Sequence, residues 1–262
     1  MSESTLHAFR LHETLYFIGT EAVSVHLLDT EEGLVLIDTG YPNMREVILE
    51  NIRTLGYSPE KIVAIFHTHA HIDHFGCTRE LVALSGATTY MSRVDDEIFN
   101  GPCDLTWAKE LRLTPIPPFR ADVRIEDGDE FTFGSTRVRC LLTPGHTAGT
   151  ISLFLTLPDG TVAAMLGGAG FNTMATVFLS AYGLPATCRT DFLASLDRLS
   201  GERCDLVLGN HPGQSNTLGK MWKAEEGKDV RDKGEWERFL TSLRRSLADI
   251  EAKDPIPRGG TV

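Results

Sequence analysis

Disulfides, membrane spans and a basic face are all missing from this chain of 262 residues. Its five cysteines, Cys77, Cys103, Cys140, Cys188 and Cys204, are widely spaced with no Cys-x-x-Cys pair, and an odd, scattered set argues against a disulfide framework. No apolar run approaches the roughly 20 residues that a bilayer-spanning helix needs. The first ten residues have no basic start followed by an apolar core, so nothing there reads as a secretory signal. A cytoplasmic protein without a membrane partner is the expectation. The formal net charge is −11, and the basic residues are scattered apart from the pair Arg244-Arg245. That field works against a nucleic-acid partner. The remaining composition is that of an ordinary globular protein, long enough for one large domain or two small ones with a sizeable core.

Against these absences stands one dense stretch, Phe66-His67-Thr68-His69-Ala70-His71-Ile72-Asp73-His74. It places four of the nine histidines in eight consecutive positions, directly after the apolar run Ile62–Phe66. A run rich in β-branched residues reads as a buried strand. A turn beginning at its end lets His69 and His71 project together, while Asp73 and His74 open the helix that follows. Neutral imidazole and carboxylate are the ligand types that zinc favours. Since the two pairs point in different directions, two adjacent metals are expected rather than one.

The rest of the chain reads as alternating strands and helices. Residues 15–19, 22–29 and 34–38 form an antiparallel meander punctuated by turns. Asn43 can cap a helix running to about Leu55, which Gly56 stops. A helix is predicted over 75–84, ending near Gly86, and a proline-rich loop with a short helix at 105–111 over 101–119. Strand–turn–strand follows at 125–131, a strand at 136–142, a hairpin of 151–157 with 161–166, and a strand at 206–208. The tail carries helices at 216–224 and 235–252, the second with Trp236, Phe239, Leu243, Leu247 and Ile250 on one face and Pro255 and Pro257 ending it.

The His-x-His-x-Asp-His pattern resembles that of the metallo-β-lactamase superfamily, over residues of about 15–220. Three further landmarks appear in that family's order: Leu36-Ile37-Asp38-Thr39-Gly40, Thr143-Pro144-Gly145-His146-Thr147 and Gly209-Asn210-His211-Pro212. The resemblance implies a single α/β (α+β) domain spanning 1–262, an αββα sandwich of two mixed sheets flanked by helices. It implies a first zinc on His69, His71 and His146 with an open fourth position, as in catalytic sites. A second zinc would lie on Asp73, His74 and His211. Asp38 would orient the metal loop by hydrogen bonds, as carboxylates behind metal ligands do. His67 is expected to bond the strand end, and His7, His12 and His26 to be structural or exposed. Cys77 reads as a small buried hydrophobe, with a stray metal ligand as the alternative.

Many members of that family supply a carboxylate that bridges the two metals; glyoxalase-like thioesterases, lactonases, persulfide dioxygenases and diiron flavoproteins use it. Here no Asp or Glu occurs between Asp159 and Asp191, and the corresponding place reads Met165-Leu166-Gly167-Gly168-Ala169-Gly170. The ligand set then resembles the third subclass of true β-lactamases, although 167–170 and 171–189 depart from the serine-bearing segment of those enzymes. The implied activity is attack on the carbonyl of a small-molecule substrate by metal-bound hydroxide, held in place by Asp73, with the C–N bond of a β-lactam as the leading substrate. An intracellular amide, ester, lactone or thioester hydrolase on the same site is the alternative, and a metal-dependent oxygenase or redox protein a further one.

Overall fold

The computed structural model describes residues 6–256. Its strands are β1 (Phe9–His12), β2 (Leu15–Phe17), β3 (His26–Thr30), β4 (Gly33–Ile37), β5 (Ile62–Phe66), β6 (Thr88–Ser92), β7 (Val123–Ile125), β8 (Glu130–Phe133), β9 (Thr136–Leu142), β10 (Ile151–Thr156), β11 (Val162–Met165) and β12 (Leu206–Leu208). Its α-helices are α1 (Arg45–Thr54), α2 (Ile72–Phe75), α3 (Thr78–Ser85), α4 (Arg93–Phe99), α5 (Thr176–Tyr182), α6 (Cys188–Leu199), α7 (Thr217–Glu225) and α8 (Glu235–Lys253). The first seven strands form one sheet in chain order, antiparallel through β4 and parallel from β4 to β7. The other five form a second sheet ordered β12-β11-β10-β9-β8, antiparallel except for the β11–β12 pair.

Alternation along each strand makes the layers. Val35 and Ile37 of β4 face inward with Leu153 and Leu155 of β10 in the core between the sheets. Leu34 and Leu36 face outward against Ile48, Leu49 and Ile52 of α1. Phe154 turns the other way, onto Leu196 of α6 and Trp236, Phe239 and Leu243 of α8. A period of two places successive side chains on opposite faces, so continuous apolar strands can be covered on both sides. The result is the expected α-β-β-α stack.

Several local expectations change. Asn43 lies in a turn, and Met44 precedes α1 without a side-chain cap. The helix after the metal loop is two pieces, α2 and α3, broken at Gly76, whose Cα packs so tightly on the 40–42 backbone that a Cβ would collide with Gly40 and Pro42. Residues 105–111 form turns, because Trp107 and Arg112 both hold left-handed backbone (φ +66° and +56°) that ends helical propagation. Segment 125–131 is the expected strand–turn–strand, and its turn carries the chain from the first sheet to the second. Pro257 lies outside the described residues. Among those described, no helix is long and apolar enough to cross a membrane.

A buried clasp ties the end of α8 to the segment between β11 and α6. Arg189 is 2% exposed. Its Nε donates to the Met174 carbonyl at 2.9 Å, and its two terminal nitrogens donate to the backbone carbonyl and carboxylate of Asp254 at 2.6 and 2.7 Å. The same carboxylate accepts the Thr176 N–H at 2.8 Å and the Thr176 hydroxyl.

His26 is buried in the first sheet with its ring edge-on to Phe17, and burial pushes its pKa down to about 3, against a smaller upward pull from Asp38. The ring is neutral when folded and free to protonate when unfolded. Its stabilising contribution is therefore complete above about pH 6.5 and is lost as pH falls toward 3. Between pH 7 and pH 4, metal-free protein should lose about 3 kcal/mol through this residue. Urea unfolding at both pH values, compared with His26→Leu, measures it; equal losses in the two proteins would refute the assignment.

Candidate metal centre

The centre is built at the carboxyl ends of central parallel strands. β5 lies between β4 and β6, and the loop leaving it is anchored by Asp38 at the end of β4. The Asp38 carboxylate accepts the Thr68 N–H at 2.8 Å, the Thr68 hydroxyl at 2.8 Å and the His74 Nδ1–H at 2.8 Å. Its own backbone is left-handed (φ +60°), a conformation Asp tolerates better than most residues. Asp38 thus touches both halves of the motif, with no exposed surface of its own.

His69, His71 and His146 meet at three nitrogens. His69 Nε2 lies 3.0 Å from His71 Nδ1 and 3.2 Å from His146 Nε2, and the last two are 3.0 Å apart. The opposite edges of two of these rings fix their tautomers. The Thr68 hydroxyl gives its proton to Asp38, so at 3.0 Å it accepts from His69 Nδ1–H. His146 Nδ1–H donates to the Gly170 carbonyl at 2.7 Å. His69 and His146 therefore turn bare lone pairs toward each other, an arrangement that repels unless a cation lies between. Zinc–nitrogen distances of about 2.0–2.1 Å in a tetrahedron separate neighbouring nitrogens by about 3.3 Å, close to the spacing here. Burial first, and then the neighbouring imidazoles, hold His69 and His71 well below the ordinary histidine range. Burial likewise brings His146 down to about 4. These are neutral donors, as a metal requires.

Asp73, His74 and His211 form a second group whose donor atoms lie within 4.8 Å of one another. Asp73 Oδ2 is 3.6 Å from both His74 Nε2 and His211 Nε2. Again the far ring edges are occupied: His74 by Asp38, and His211 by the Ala22 carbonyl, to which its Nδ1–H donates at 2.9 Å. Burial lowers His74, but Asp73 and Asp38 outweigh it, so its pKa is raised; His211 is lowered, chiefly by burial. Spacing beyond hydrogen-bond reach, with lone pairs aimed inward, suits a cation between them. The His211 loop is tied from below by buried Lys220, which donates to the carbonyls of Val207 (2.9 Å) and Ser215 (2.5 Å) and to Glu235 (2.6 Å). The rings of His69 and His74 are 4.2 Å apart, so the two groups are adjacent.

The remaining residues sort cleanly. His67 donates from Nδ1 to the Tyr90 carbonyl at 3.0 Å and accepts from Thr78 at 2.7 Å, fastening the strand end. Cys77 is buried, hydrogen-bonds the Tyr41 carbonyl, has a thiol pushed up to about 12 by burial, and joins neither donor group. His12 pairs with Asp159. Gly168 lies close against the His146 ring; a Cβ there would meet Cδ2 at 2.5 Å. Sequence reasoning missed Asp95 on α4. Its buried carboxylate accepts from Ala70 N–H (2.9 Å), Thr147 hydroxyl (2.8 Å) and Gly149 N–H (2.8 Å), stitching the His69–His71 loop to the His146 loop. Burial raises its pKa against those donors. The only local sign was Ser92, whose hydroxyl caps α4 by accepting the Asp95 N–H.

A family model described as the metallo-beta-lactamase superfamily matches residues 18–199. Among solved structures, BJP-1, a subclass B3 metallo-beta-lactamase of Bradyrhizobium japonicum, is 27% identical with a TM-score of 0.85 and covers 96% of both chains. An uncharacterized protein of Aquifex aeolicus is 32% identical over 139 residues, 52% of this chain and 62% of that one. A hydroxyacylglutathione hydrolase of Gloeobacter violaceus is 38% identical over 106 residues, 40% of this chain. The match spans 33% of the length of that hydrolase.

Proposed function

This chain belongs to the metallo-beta-lactamase superfamily, and on that footing we propose that it is a dinuclear zinc hydrolase that opens a carbonyl C–N bond in the manner of a β-lactamase. The observation that carries this reading is the second donor group. It is made of Asp73, His74 and His211, and no Asp or Glu occurs between Asp159 and Asp191 to supply a bridging carboxylate. Likeness to BJP-1 over nearly the whole of both chains supports it.

Zinc held by His69, His71 and His146 and by Asp73, His74 and His211 would supply a Lewis acid for the carbonyl oxygen and a water acidified toward neutral pH. The protein's own part is orientation. Thr68, Gly170, Asp38 and Ala22 each accept a ring N–H from the far side of His69, His146, His74 and His211, which presents the opposite nitrogen inward. Such partners fix the tautomer and sharpen ligand basicity. Asp73, between two imidazoles, can spare one carboxylate oxygen to accept a hydrogen bond from the attacking water. Both donor groups consist of His and Asp alone among the described residues, which suits direct attack by water.

The same site as a thioester, ester or lactone hydrolase is the second reading, favoured by the local match to a hydroxyacylglutathione hydrolase. Hydrolysis of a chromogenic cephalosporin by zinc-loaded protein, with a chelator-treated control, separates the two. Turnover that the chelator abolishes and added zinc restores is expected. No turnover with two zinc ions bound per chain would sink the β-lactam reading.

A further inference from the structure

A cavity of about 340 Å³ opens on His71 and His146 and extends well beyond the donor atoms. Its size is that of a small ligand pocket, roughly 300–1,000 Å³. Ile98, Phe99, Leu105, Phe178, Leu179 and Leu184 supply its apolar wall, and no lysine or arginine lines it. Two carboxylates do. Asp95 is already occupied by three donors from the metal loops, and Asp191 adds a negative charge at α6. None of Asp73, His74 and His211 touches the cavity, so it belongs to the side of the first donor group.

Trp107 stands beside the cavity, against Phe178 of its wall. Trp107 keeps a left-handed backbone (φ +66°), costly for an aromatic residue unless its surroundings impose it. Its ring sits 5.9 Å from that of His71 and 4.7 Å from that of Phe178, bridging the donor group to the cavity wall.

We propose that this cavity takes the acyl arm of the substrate, and that the arm is uncharged and apolar, an alkyl or aryl group. The proposal rests on the hydrolase reading above. An alkyl arm gains by leaving water for this wall. Deeper in the cavity, a carboxylate arm would lose its hydration with no lysine or arginine on the wall to pair with and Asp191 nearby. In this proposal the departing atom lies toward Asp73, His74 and His211, which the cavity does not touch, so that the acyl side faces the cavity.

The test uses the zinc-loaded full chain and a thioester series with one leaving thiol: acetyl, butyryl, hexanoyl, octanoyl, and a hexanoyl analogue ending in a carboxylate. Water adds to the acyl carbon, the C–S bond breaks, and the thiol leaves with a proton. We expect kcat/KM to rise roughly threefold to fourfold per methylene until the cavity is full, and the carboxylate analogue to fall about 100-fold below hexanoyl. Leu184→Trp should move the optimum to a shorter arm. A flat series, or a carboxylate arm accepted like hexanoyl, overturns the proposal and leaves the hydrolase reading intact. Absence of turnover on every carbonyl substrate fells the hydrolase reading instead. The cavity is then read directly by fluorescence of N-phenyl-1-naphthylamine with metal-free protein. Binding that 1-octanol displaces and 6-hydroxyhexanoate does not supports an apolar, charge-excluding cavity; no binding, or displacement by both, overturns it.

Discussion

Replacing His146 by alanine is expected to lower kcat/KM of zinc-loaded protein by about 10³-fold or more. Loss of a residue that only orients a metal ligand typically costs 10–100-fold in affinity or activity, and His146 is itself one of three converging donors. Two imidazoles would remain in a pocket shaped for three, with open space where the ring had lain against Gly168. The metal content should fall from two zinc ions to one per chain, since Asp73, His74 and His211 are untouched. Zinc stoichiometry after dialysis and steady-state kinetics together make the check, with far-UV circular dichroism to show an intact fold. Full activity with two bound zinc ions would remove His146 from the centre.

Asp38→Ala is expected to be the most damaging single change to stability. It would strand three donors, the Thr68 N–H, the Thr68 hydroxyl and the His74 Nδ1–H, where water does not reach. Each buried, unsatisfied group costs about 1–3 kcal/mol, so the sum is several kcal/mol. Alanine would also have to hold φ +60°, which lacks the local support a short polar side chain gives. Against the 5–15 kcal/mol that typically separates folded from unfolded domains, that is a large share. Asp38→Asn keeps the shape and the backbone preference but turns an N–H₂ toward groups that are donors themselves. It should fold and bind zinc about 10–100-fold more weakly. Urea midpoints and competitive zinc titrations measure both. An Asp38→Ala protein within 1 kcal/mol of the parent, binding zinc normally, would show the network to be dispensable.

How much of this was readable in the chain depended on distance along it. The core of the motif was legible because strand β5 delivers its ligands within nine residues, so local periodicity and ligand chemistry coincide. His146 and His211 were visible only through the order of landmarks; what joins them to His69 and Asp73 is the alignment of the strand ends of two sheets. Asp95 gave only the faint local sign of the Ser92 cap, because its role exists only where two loops far apart in sequence converge on one carboxylate. Helices α4, α5 and α6 went unread although Phe192, Leu196 and Leu199 share a face. Residues 105–111 read as a short helix in sequence, whereas the left-handed backbone of Trp107 and Arg112 makes them turns. The missing bridging carboxylate was legible directly, because no Asp or Glu occurs between Asp159 and Asp191.

The clasp between Arg189 and Asp254 sets an order of events during synthesis. The cavity wall on α5 and the start of α6 is fastened through Met174, Thr176 and Arg189 to a carboxylate at the far end of α8. On the ribosome, the donor nitrogens of His69, His71 and His146 emerge long before Asp254 does. A nascent chain can therefore present its metal-binding loops before the clasp behind this cavity wall can close, because Asp254 lies near the end of the described residues.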